Sequence, residues 1–399
     1  MSQLDSGKRR PHSHRTNTLA AHAGDDPFRF LGAASPPIFQ TSTFVFESFE
    51  EAEEAFANPL NHAIYTRGTN PTVKVAEEKI AELEGGDFCR LFGSGMAAIS
   101  SAIMSCVKAG DHVVSIKSVY GPAYIFLATY LSRFGVTTTF IDGSSVAEWE
   151  AAIQPNTTLF YLESPSSYVM QLQDLQALSA LAKRHAIKTV IDNSYSTMLL
   201  QRPLDLGIDL SVYSATKFLG GHSDVVAGAV VGRMELLKTI ATDEHQLLGG
   251  IIGPFEGWLI ARGLRTLPLR MRQHQETAGQ VADFLAKHDR VARIYYPGHP
   301  SHPQYELAQR QTKGASSLLS FELGTQDVEQ IKRFVNAIRY FGIGVSWGGY
   351  ESLLMLPLIT YKRAKPESEW TNPGLVRIHC GLEDAADLIE DLDQALAQM

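Results

Sequence analysis

Residues 159–191, LFYLESPSSYVMQLQDLQALSALAKRHAIKTVI, give the clearest indication of the fold. The run begins with the apolar letters LFYL and ends with KTVI, and both short segments predict buried β-strands. Between them three leucines recur at helical spacing from Leu175 to Leu181, and Asp174 is a candidate N-cap. A strand, a helix and a second strand in this order predict parallel strands in a sheet that is covered by helices.

The same alternation continues on both sides of this run. Further short β-branched runs predict strands at residues 112–116, 137–141 and 210–213. Apolar stripes at helical spacing extend from Val73 to Leu83 and from Met96 to Val107, and the glycines that follow them predict the helix ends. The sequence therefore predicts an α/β fold with a mostly parallel sheet and helices on both of its faces.

The pattern changes near residue 255. A long helical stretch around Val281 is followed by shorter strands and helices and by a last helix that carries Leu388 and Leu396, which together predict a smaller α+β domain. We expect three parts, an N-terminal arm at 1–60, a large domain at 61–255 and a C-terminal domain at 256–399. We also expect the first ~15 residues to be disordered, because chain ends are ordered only where packing holds them.

Composition and charge exclude several classes of protein. The chain has 399 residues, with 35 Lys and Arg against 43 Asp and Glu, so its formal net charge is −8. We expect no nucleic-acid partner, because such proteins concentrate positive charge. We expect no membrane partner, because a span needs ~20 apolar residues and no run approaches that length. His299 and His302 lack a third ligand nearby, so we expect no metal site.

The location is predicted from the cysteines and the N-terminus. Three cysteines in a chain of this length suit a reducing compartment better than a disulfide framework. A signal peptide has an apolar segment after its basic residues, and the basic residues at 8–15 are not followed by one. We therefore expect a cytoplasmic protein.

Chemically active side chains follow the predicted strands at the ends where parallel sheets bind ligands. Four strands are each followed closely by one such residue, and these residues are Tyr120, Glu163, Asp192 and Lys217. Singly, each has an ordinary structural explanation, such as a turn residue or a surface lysine. Together they predict a ligand site at one edge of the sheet.

The segment GSGMAA at residues 93–98 follows a short apolar run and opens a helix, so it fits an anion-binding loop. It also matches the dinucleotide fingerprint G-x-G-x-x-A of nicotinamide-dependent oxidoreductases. That fingerprint needs an acid at the end of the next strand, where this chain has Ile116 and Lys117. A single phosphate fits the loop as well as a pyrophosphate does, and both interpretations stay open at this point.

A lysine, an acid, an aromatic ring and a phosphate loop are the groups that a pyridoxal-phosphate site requires. The lysine binds the aldehyde, the acid keeps the pyridine nitrogen protonated, and the aromatic ring covers one face of the cofactor. Backbone N–H groups and hydroxyls hold its phosphate. The spacing of the residues alone does not prove this assignment.

Residues 209–224, DLSVYSATKFLGGHSD, resemble the cofactor-lysine signature of the Cys/Met-metabolism pyridoxal-phosphate enzymes. Further blocks match this family in order, YTR at 65–67, NPT at 70–72, SGM at 94–96, ESP at 163–165 and DN at 192–193. Two C-terminal blocks look most like the bacterial cystathionine β-lyases of the family, SWGGYESL at 346–353 and VRIHCGLE at 376–383. The matches extend from about residue 60 almost to the end of the chain.

The resemblance implies a fold type I, transferase-like pyridoxal-phosphate enzyme in which residues 61–255 bind the cofactor. Lys217 is implied to bind the cofactor covalently and then to act as the catalytic base. Tyr120 is implied to stack on the cofactor ring and to take part in catalysis, and Asp192 to pair with the ring nitrogen. The implied phosphate ligands in the same subunit are Ser94, Gly95, Met96, Ser214 and Thr216.

The resemblance also implies the residues of the substrate side. Arg377 is implied to bind the substrate α-carboxylate, which matches its planar fork, and Ser346 and Trp347 to contact the substrate. Tyr65 and Arg67 lie in a segment that, in the family, reaches the phosphate and the site mouth of the neighbouring subunit. A homo-oligomer follows as an expectation, a tetramer built as a dimer of dimers with sites shared across the dimer.

The implied substrate is a small sulfur amino acid, and the expected reaction is β-elimination of L-cystathionine to homocysteine, pyruvate and ammonia. This would be a trans-sulfuration step of methionine biosynthesis. Trp347 favours it, because the γ-acting relatives usually carry leucine at that position. Val345, however, matches neither the tyrosine of the β-lyases nor the glutamate of the γ-acting enzymes.

Other reactions of the same family remain as alternatives. They are cystathionine γ-lyase and the γ-replacement enzymes, cystathionine γ-synthase or an O-acylhomoserine sulfhydrylase. Methionine γ-lyase is less favoured, because its cysteine after the stacking tyrosine corresponds to Pro122. A non-catalytic pyridoxal-phosphate binder is disfavoured by the presence of Arg377 and Tyr120.

Overall fold

The computed structural model describes residues 15–359 and 372–399. The expected disorder at the start of the chain concerns residues outside these ranges. Within them the chain forms two β-sheets, a larger one in the first part of the chain and a smaller one in the last part. The predicted α/β class is confirmed.

The larger sheet has seven strands in the described ranges. They are β1 (Phe88–Phe92), β2 (His112–Ile116), β3 (Thr137–Ile141), β4 (Thr157–Glu163), β5 (Lys188–Asp192), β6 (Leu210–Tyr213) and β7 (Gly228–Gly232). Their order across the sheet is β1-β7-β6-β5-β4-β2-β3. The five strands from β6 to β3 are parallel, and β7 is antiparallel to both of its neighbours. The prediction of a mostly parallel sheet is therefore correct.

Strand β7 is a strand that sequence analysis did not predict. It reads GAVVG, with a glycine at each end and alanine beside the first, and both residue types are depleted in strands. The backbone of Gly228 passes close to Ser94, the N-cap of the helix that starts at Gly95. A Cβ on Gly228 would lie only 2.2 Å from the Ser94 carbonyl oxygen, so glycine is needed there. Close packing of the backbone therefore selects glycine at a position where strand propensity would select a larger residue.

Helices surround the larger sheet. They are α1 (Thr16–His22), α2 (Phe49–Ala57), α3 (Pro71–Glu84), α4 (Gly95–Met104), α5 (Gly121–Ile125), α6 (Val146–Ala151), α7 (Leu175–Arg184), α8 (Thr197–Leu200), α9 (Met234–Thr242) and α10 (Glu244–Leu248). Short 3₁₀ segments lie at Pro27–Phe30, Leu131–Phe134 and Pro203–Leu206, and a π-helical segment at Phe126–Tyr130.

Both faces of the sheet are buried, as predicted. In β7, Val230 packs into one apolar core and Val231 into another on the opposite face. Neighbouring residues of a strand point to opposite sides, so each face has its own core. One core is shared with α4 and α7 and the other with α3.

The ends of two helices test the sequence signals directly. The Asp174 carboxylate accepts from the Ala177 N–H at 3.1 Å, which confirms the predicted N-cap of α7. Helix α3 ends at Gly85, whose φ of 81° is the left-handed conformation that glycine adopts without strain. The stripe predicted from Met96 to Val107 is too long, because α4 ends at Met104 and the last residues form a turn.

The last part of the chain forms the smaller sheet and its helices. Its elements are α11 (Pro254–Leu285), β8 (Val291–Tyr295), α12 (Tyr305–Gln311), β9 (Leu318–Leu323), α13 (Val328–Ala337), β10 (Gly342–Ile343), β11 (Leu353–Met355), β12 (Leu375–His379) and the C-terminal helix Ala385–Leu396. The strand order is β10-β11-β12-β9-β8, and all pairs except β10 with β11 are antiparallel. The predicted α+β character of this part is confirmed.

Helix α11 contributes to the cores of both parts. Its first half places Leu264 and Leu267 in the core with α3, and its second half places Val281 and Leu285 in the core of the smaller sheet. The predicted division between residues 255 and 256 stays a prediction. Among the described residues, no helix combines the length and the apolar character that crossing a membrane would require.

Candidate active site

The carboxyl ends of the parallel strands bring the predicted polar residues together. Glu163 ends β4 and Asp192 ends β5, and the two residues are paired in register on adjacent strands. The Tyr120 N–H, just beyond β2, donates to Glu163 Oε2 at 2.6 Å. Three of the polar residues that were expected at this edge of the sheet are therefore linked there by strand pairing and a hydrogen bond.

Lys217 lies after β6, where it is half-buried and contacts the smaller part of the chain. Its Nζ donates to Ser346 Oγ at 2.5 Å and lies 5.5 Å from the centroid of the Trp347 ring. Burial lowers the pKa of the Lys217 ammonium to about 8; the positive Arg377 adds to this effect and the Asp192 carboxylate opposes it. With such a pKa roughly a tenth of the amine is neutral at pH 7 and about half at pH 8, and the neutral form is the one that acts as a base.

Asp192 and Glu163 form a pair of buried carboxyl groups. Burial raises the pKa of both, and for Glu163 the neighbouring Asp192 carboxylate raises it further. The Ser194 N–H donates to Asp192 Oδ1 at 2.9 Å, and this bond together with the charge of Lys217 favours the ionised form of Asp192. The pair therefore favours one negative charge, and Asp192 is the better placed carboxyl to carry it.

The loop before α4 forms a cup of backbone and hydroxyl groups. A Cβ on Gly95 would lie 2.8 Å from Ser214 Oγ, so only glycine allows the two segments to approach this closely. Ser94 Oγ accepts from the Ala97 N–H at 3.0 Å and caps the helix. The Ser214 N–H donates to Ser194 Oγ at 2.6 Å. The N–H groups of the first turn of α4, including that of Met96, suit a phosphate.

Thr216 differs from the other predicted phosphate ligands. Its hydroxyl donates to the Ala227 carbonyl at 3.0 Å and accepts from the Ala227 N–H at 2.9 Å. The hydroxyl hydrogen is therefore already used within the protein. The Thr216 N–H also donates to the Ala227 carbonyl, at 3.1 Å. A phosphate contact from Thr216 therefore requires rotation of its side chain.

Tyr120 and Arg377 both lie near the carboxyl pair. The Tyr120 side chain is 41% exposed, and burial of its hydroxyl and the charge of Asp192 raise its pKa, so the phenol stays protonated. Arg377 is buried, and its Nη1 donates to the Ser167 carbonyl at 3.0 Å. Its Nη2 donates to Met355 Sδ at 3.4 Å, and its Cζ lies 5.5 Å from the centroid of the Tyr168 ring.

The SWGG loop packs directly on the lysine segment. Ser346 and Gly348 have φ values of 84° and 89°, and a Cβ on Gly348 would lie 3.0 Å from Lys217 Cα. Trp347 packs on Phe218, with ring centroids 5.4 Å apart. The loop is thus shaped to hold Ser346 and Trp347 against Lys217.

Two buried histidines support this loop and were not given a role by sequence analysis. His379 Nε2 donates to the Gly349 carbonyl at 3.1 Å and its ring lies 5.3 Å from that of His274. Burial lowers the pKa of His379 to about 3 and that of His274 to about 4, so both are neutral near pH 7. Their positions next to Arg377 and in a long helix carry no sequence signal for this function.

Tyr65 and Arg67 lie apart from these residues. The Arg67 guanidinium lies 5.6 Å from the Tyr65 ring centroid, and Tyr65 forms a bridge with Thr43. In the described part of this chain, no hydrogen bond, ion pair or ring contact joins either residue to Lys217, Tyr120 or Asp192. Their expected role at a neighbouring subunit stays a prediction.

The residues present fit pyridoxal phosphate. A half-buried lysine with a lowered pKa suits the aldehyde, and an ionised Asp192 suits a protonated ring nitrogen. The cup at Gly95 and Ser214 is closed to any larger side chain and suits a phosphate. The lack of an acid in the place where a ribose would bind is unfavourable for the nicotinamide alternative.

Known proteins of one family resemble the whole chain. The family model described as Cys/Met metabolism PLP-dependent enzyme matches residues 17–397. An L-methionine gamma-lyase of Treponema denticola is 43% identical over 385 residues, 95% of this chain and 96% of that protein. A cystathionine beta-lyase of Lactococcus lactis subsp. cremoris is 37% identical over 383 residues, 95% of this chain and 98% of that protein.

A solved structure agrees with these matches. The crystal structure of metB from Corynebacterium glutamicum has a TM-score of 0.91 and 34% sequence identity, and the match covers 96% of this chain and 98% of that one. The expected fold type I architecture is therefore confirmed, and the nicotinamide alternative has no support left. The chain belongs to the Cys/Met-metabolism enzymes that depend on pyridoxal 5′-phosphate.

Proposed function

We propose that this enzyme is a carbon–sulfur lyase that converts L-cystathionine and water into homocysteine, pyruvate and ammonia by β-elimination. The observation that carries the proposal is the environment of Lys217. Its Nζ is bound to Ser346 Oγ at 2.5 Å and lies 5.5 Å from the Trp347 ring, and its pKa is lowered to about 8. Lys217 is thus a base that can remove a proton, and it lies beside the bulky ring of Trp347.

Arg377 binds the substrate α-carboxylate in this proposal. Its guanidinium is buried, and the Ser167 carbonyl and Met355 Sδ fix its orientation from Nη1 and Nη2. A planar guanidinium forms two parallel hydrogen bonds to a carboxylate, which fixes the direction of the Cα substituents. The carboxylate therefore orients the Cα–H bond relative to Lys217.

Lys217 removes the Cα proton as a neutral amine. Burial and the positive charge of Arg377 favour the neutral form, and Ser346 Oγ holds the nitrogen in place. Pyridoxal phosphate, when bound, supplies an electron sink for the electron pair left at Cα. With the cofactor bound, Asp192 would hold a negative charge for the ring nitrogen, and Tyr120 would stack on the ring with a phenol that stays protonated.

Two features support β-elimination over γ-elimination. A thiolate can leave Cβ after one proton has been removed from Cα, whereas a leaving group at Cγ requires a further proton to be taken from Cβ. Val345 is 68% exposed and has no titratable group to help with that further transfer. The Trp347 ring beside Lys217 also reduces the space for movement of the amine.

A γ-elimination is the second candidate, and a specific observation favours it. The relative named L-methionine gamma-lyase is 43% identical to this chain, and the relative named cystathionine beta-lyase is 37% identical. Whole-chain similarity thus favours the γ reaction, and the residues around Lys217 favour the β reaction. We base the choice of reaction on the residues around Lys217 and not on whole-chain identity, because similarity elsewhere in the chain reflects the common fold.

Product analysis decides between the candidates. Purified holoenzyme is incubated with L-cystathionine and, separately, with L-methionine, and the thiols and 2-oxo acids are quantified. Homocysteine and pyruvate from cystathionine support the proposal, while cysteine and 2-oxobutyrate, or methanethiol from methionine, support the γ candidate. Lys217→Ala is the control, and it should lose both product formation and the visible band of the covalently bound cofactor.

We further propose a homotetramer, a dimer of dimers in the cytoplasm, in which Tyr65 and Arg67 complete the site of the neighbouring subunit. Large apolar side chains of the arm support an interface, because Leu31 is 94% and Val45 is 90% exposed in the single chain. Co-expression of Arg67→Ala with Lys217→Ala tests the sharing. A mixed dimer then contains one site with both native residues, so activity should return, whereas unshared sites would leave the mixture inactive.

A further inference from the structure

Glu163 is a buried carboxyl group that the proposed function leaves without a role. It is the last residue of β4, lies in register with Asp192 and is 5% exposed. Its hydrogen bonds lead to Tyr120, the proposed ring-stacking residue, and through Ser167 to Arg377, the proposed carboxylate-binding residue. A buried carboxyl group is costly unless its oxygens are hydrogen-bonded, so its partners indicate what it does.

The first partner of Glu163 is the backbone of Tyr120. Oε2 accepts from the Tyr120 N–H at 2.6 Å. The Tyr120 side chain is partly exposed, and the helix that follows begins with Gly121 and Pro122, so little side-chain packing fixes the residue from that side. The hydrogen bond to Glu163 therefore anchors the backbone that carries the stacking ring.

The second partner of Glu163 leads to Arg377. Oε1 accepts from the Ser167 hydroxyl at 2.5 Å, and the carbonyl of the same Ser167 accepts from Arg377 Nη1 at 3.0 Å. Ser167 lies in the turn after β4 of the larger sheet, and Arg377 lies 210 positions away in β12 of the smaller sheet. Ser167 is thus held by Glu163 on one side and orients the arginine on the other.

We propose that Glu163 is a positioning residue that joins the ring-stacking side of the site to the carboxylate-binding side, through the Tyr120 N–H and through Ser167. This rests on the proposed function in so far as Arg377 binds the substrate carboxylate. A carboxyl group suits the task because its two oxygens form hydrogen bonds with two separate segments. Aspartate is one methylene shorter and cannot reach both partners, and alanine reaches neither.

The test compares Glu163→Ala, Glu163→Gln and Ser167→Ala holoenzymes with the wild type. Three quantities are measured: kcat and KM with a sulfur amino acid that the wild type turns over, the dissociation constant of glycine as a non-reacting α-amino acid, and the visible circular dichroism of the bound cofactor. Melting temperature is recorded for each variant. Because glycine has only the carboxylate and amine, its binding is independent of whether the elimination is β or γ.

The expected results differ between the variants. Glu163→Ala should raise KM and the glycine dissociation constant roughly tenfold, as the displacement of a hydrogen-bonded anchor does, and should reduce the cofactor dichroism. Ser167→Ala should raise KM and weaken glycine binding but leave the dichroism unchanged, since the Tyr120 anchor remains. Glu163→Gln should be close to wild type, because its amide oxygen accepts from Tyr120 and its NH₂ donates to the Ser167 hydroxyl.

Glu84→Gln is the matched control. Glu84 is also a buried carboxyl group that accepts from two hydroxyls, those of Ser211 (2.8 Å) and Tyr213, but it contacts neither Tyr120 nor Ser167. It should leave KM, glycine binding and dichroism unchanged. Wild-type glycine binding and dichroism in Glu163→Ala, or changes in Glu84→Gln equal to those in Glu163→Ala, would overturn the proposal. If Glu163→Ala does not fold, Ser167→Ala with wild-type glycine binding overturns it instead. Failure of the reaction assignment alone would leave these binding results unaffected.

Discussion

Replacing Glu84 by glutamine should remove a pH-dependent part of the stability of this enzyme. Glu84 ends α3, is completely buried, and accepts hydrogen bonds from Ser211 and Tyr213. Burial raises the pKa of its carboxyl group from 4.5 to about 7, against the opposing effect of the two hydrogen bonds and of Arg202. The folded protein therefore holds this proton at pH values where the unfolded chain has released it.

The sign and size of the effect follow from this difference. An acid whose pKa is raised on folding contributes stability that is complete below the unfolded value and is lost as pH rises to the folded value. The interval from 4.5 to about 7 corresponds to about 3 kcal/mol at ~1.4 kcal/mol per pH unit. Roughly 2–3 kcal/mol of this is lost between pH 5 and pH 8, because part is already lost at pH 5.

The assay is the melting temperature of the holoenzyme and of Glu84→Gln at pH 5 and pH 8. An unfolding entropy of roughly 2.1 cal/mol/K per residue gives about 0.8 kcal/mol/K for 399 residues. The melting temperature of Glu84→Gln relative to the wild type should therefore rise by about 3 °C from pH 5 to pH 8. The same difference at both pH values would refute the assignment of a raised pKa to Glu84.

Three further predictions concern the site. Arg377→Lys should lower kcat/KM by roughly 10- to 100-fold, mainly through KM, because lysine lacks the fork that binds a carboxylate; an unchanged KM in steady-state assays would contradict this. Trp347→Leu should increase the ratio of 2-oxobutyrate to pyruvate formed from L-cystathionine, and an unchanged ratio would remove Trp347 from the selection of the reaction. Gly348→Ala should destabilise the protein by about 1–3 kcal/mol, because φ is 89° and a Cβ would lie 2.8 Å from the Phe218 nitrogen; a wild-type melting temperature would show that the loop adapts.

The strands, and the polar residues that follow them at one edge of the sheet, were predictable because each is marked by a short stretch of sequence. The boundaries of β2, β3 and β6 match the predicted runs, since short β-branched segments between turn residues have few alternatives. The meeting of these polar residues could be predicted because parallel strands bring their carboxyl ends to one edge of the sheet. Strand β7 was not predictable from propensity, because close packing selects Gly228 there.

The supporting residues of the site could not be predicted from the sequence. Ser167 acquires its role from a contact with Arg377, 210 positions away, and His379 from the loop carbonyl of Gly349. Such contacts depend on how the two sheets pack, which no local pattern encodes. Among these supporting residues, only Glu163 has a sequence signal, because an acid directly after a predicted strand indicates a position at the edge of the site.

The continuous helix α11 has a consequence for substrate choice. Lys217 lies beside the larger sheet and Arg377 in the smaller one, and a single helix of 32 residues, about 48 Å long, contributes to both cores. Pro268 removes one hydrogen bond near the middle of this helix, but bending between the sheets would also break those of its neighbours. We therefore expect the separation of amine and guanidinium to be set once the chain has folded. Every α-amino acid has the same distance from carboxylate to Cα, and this separation therefore admits them all equally. Discrimination among sulfur amino acids then falls to the residues that face the leaving group.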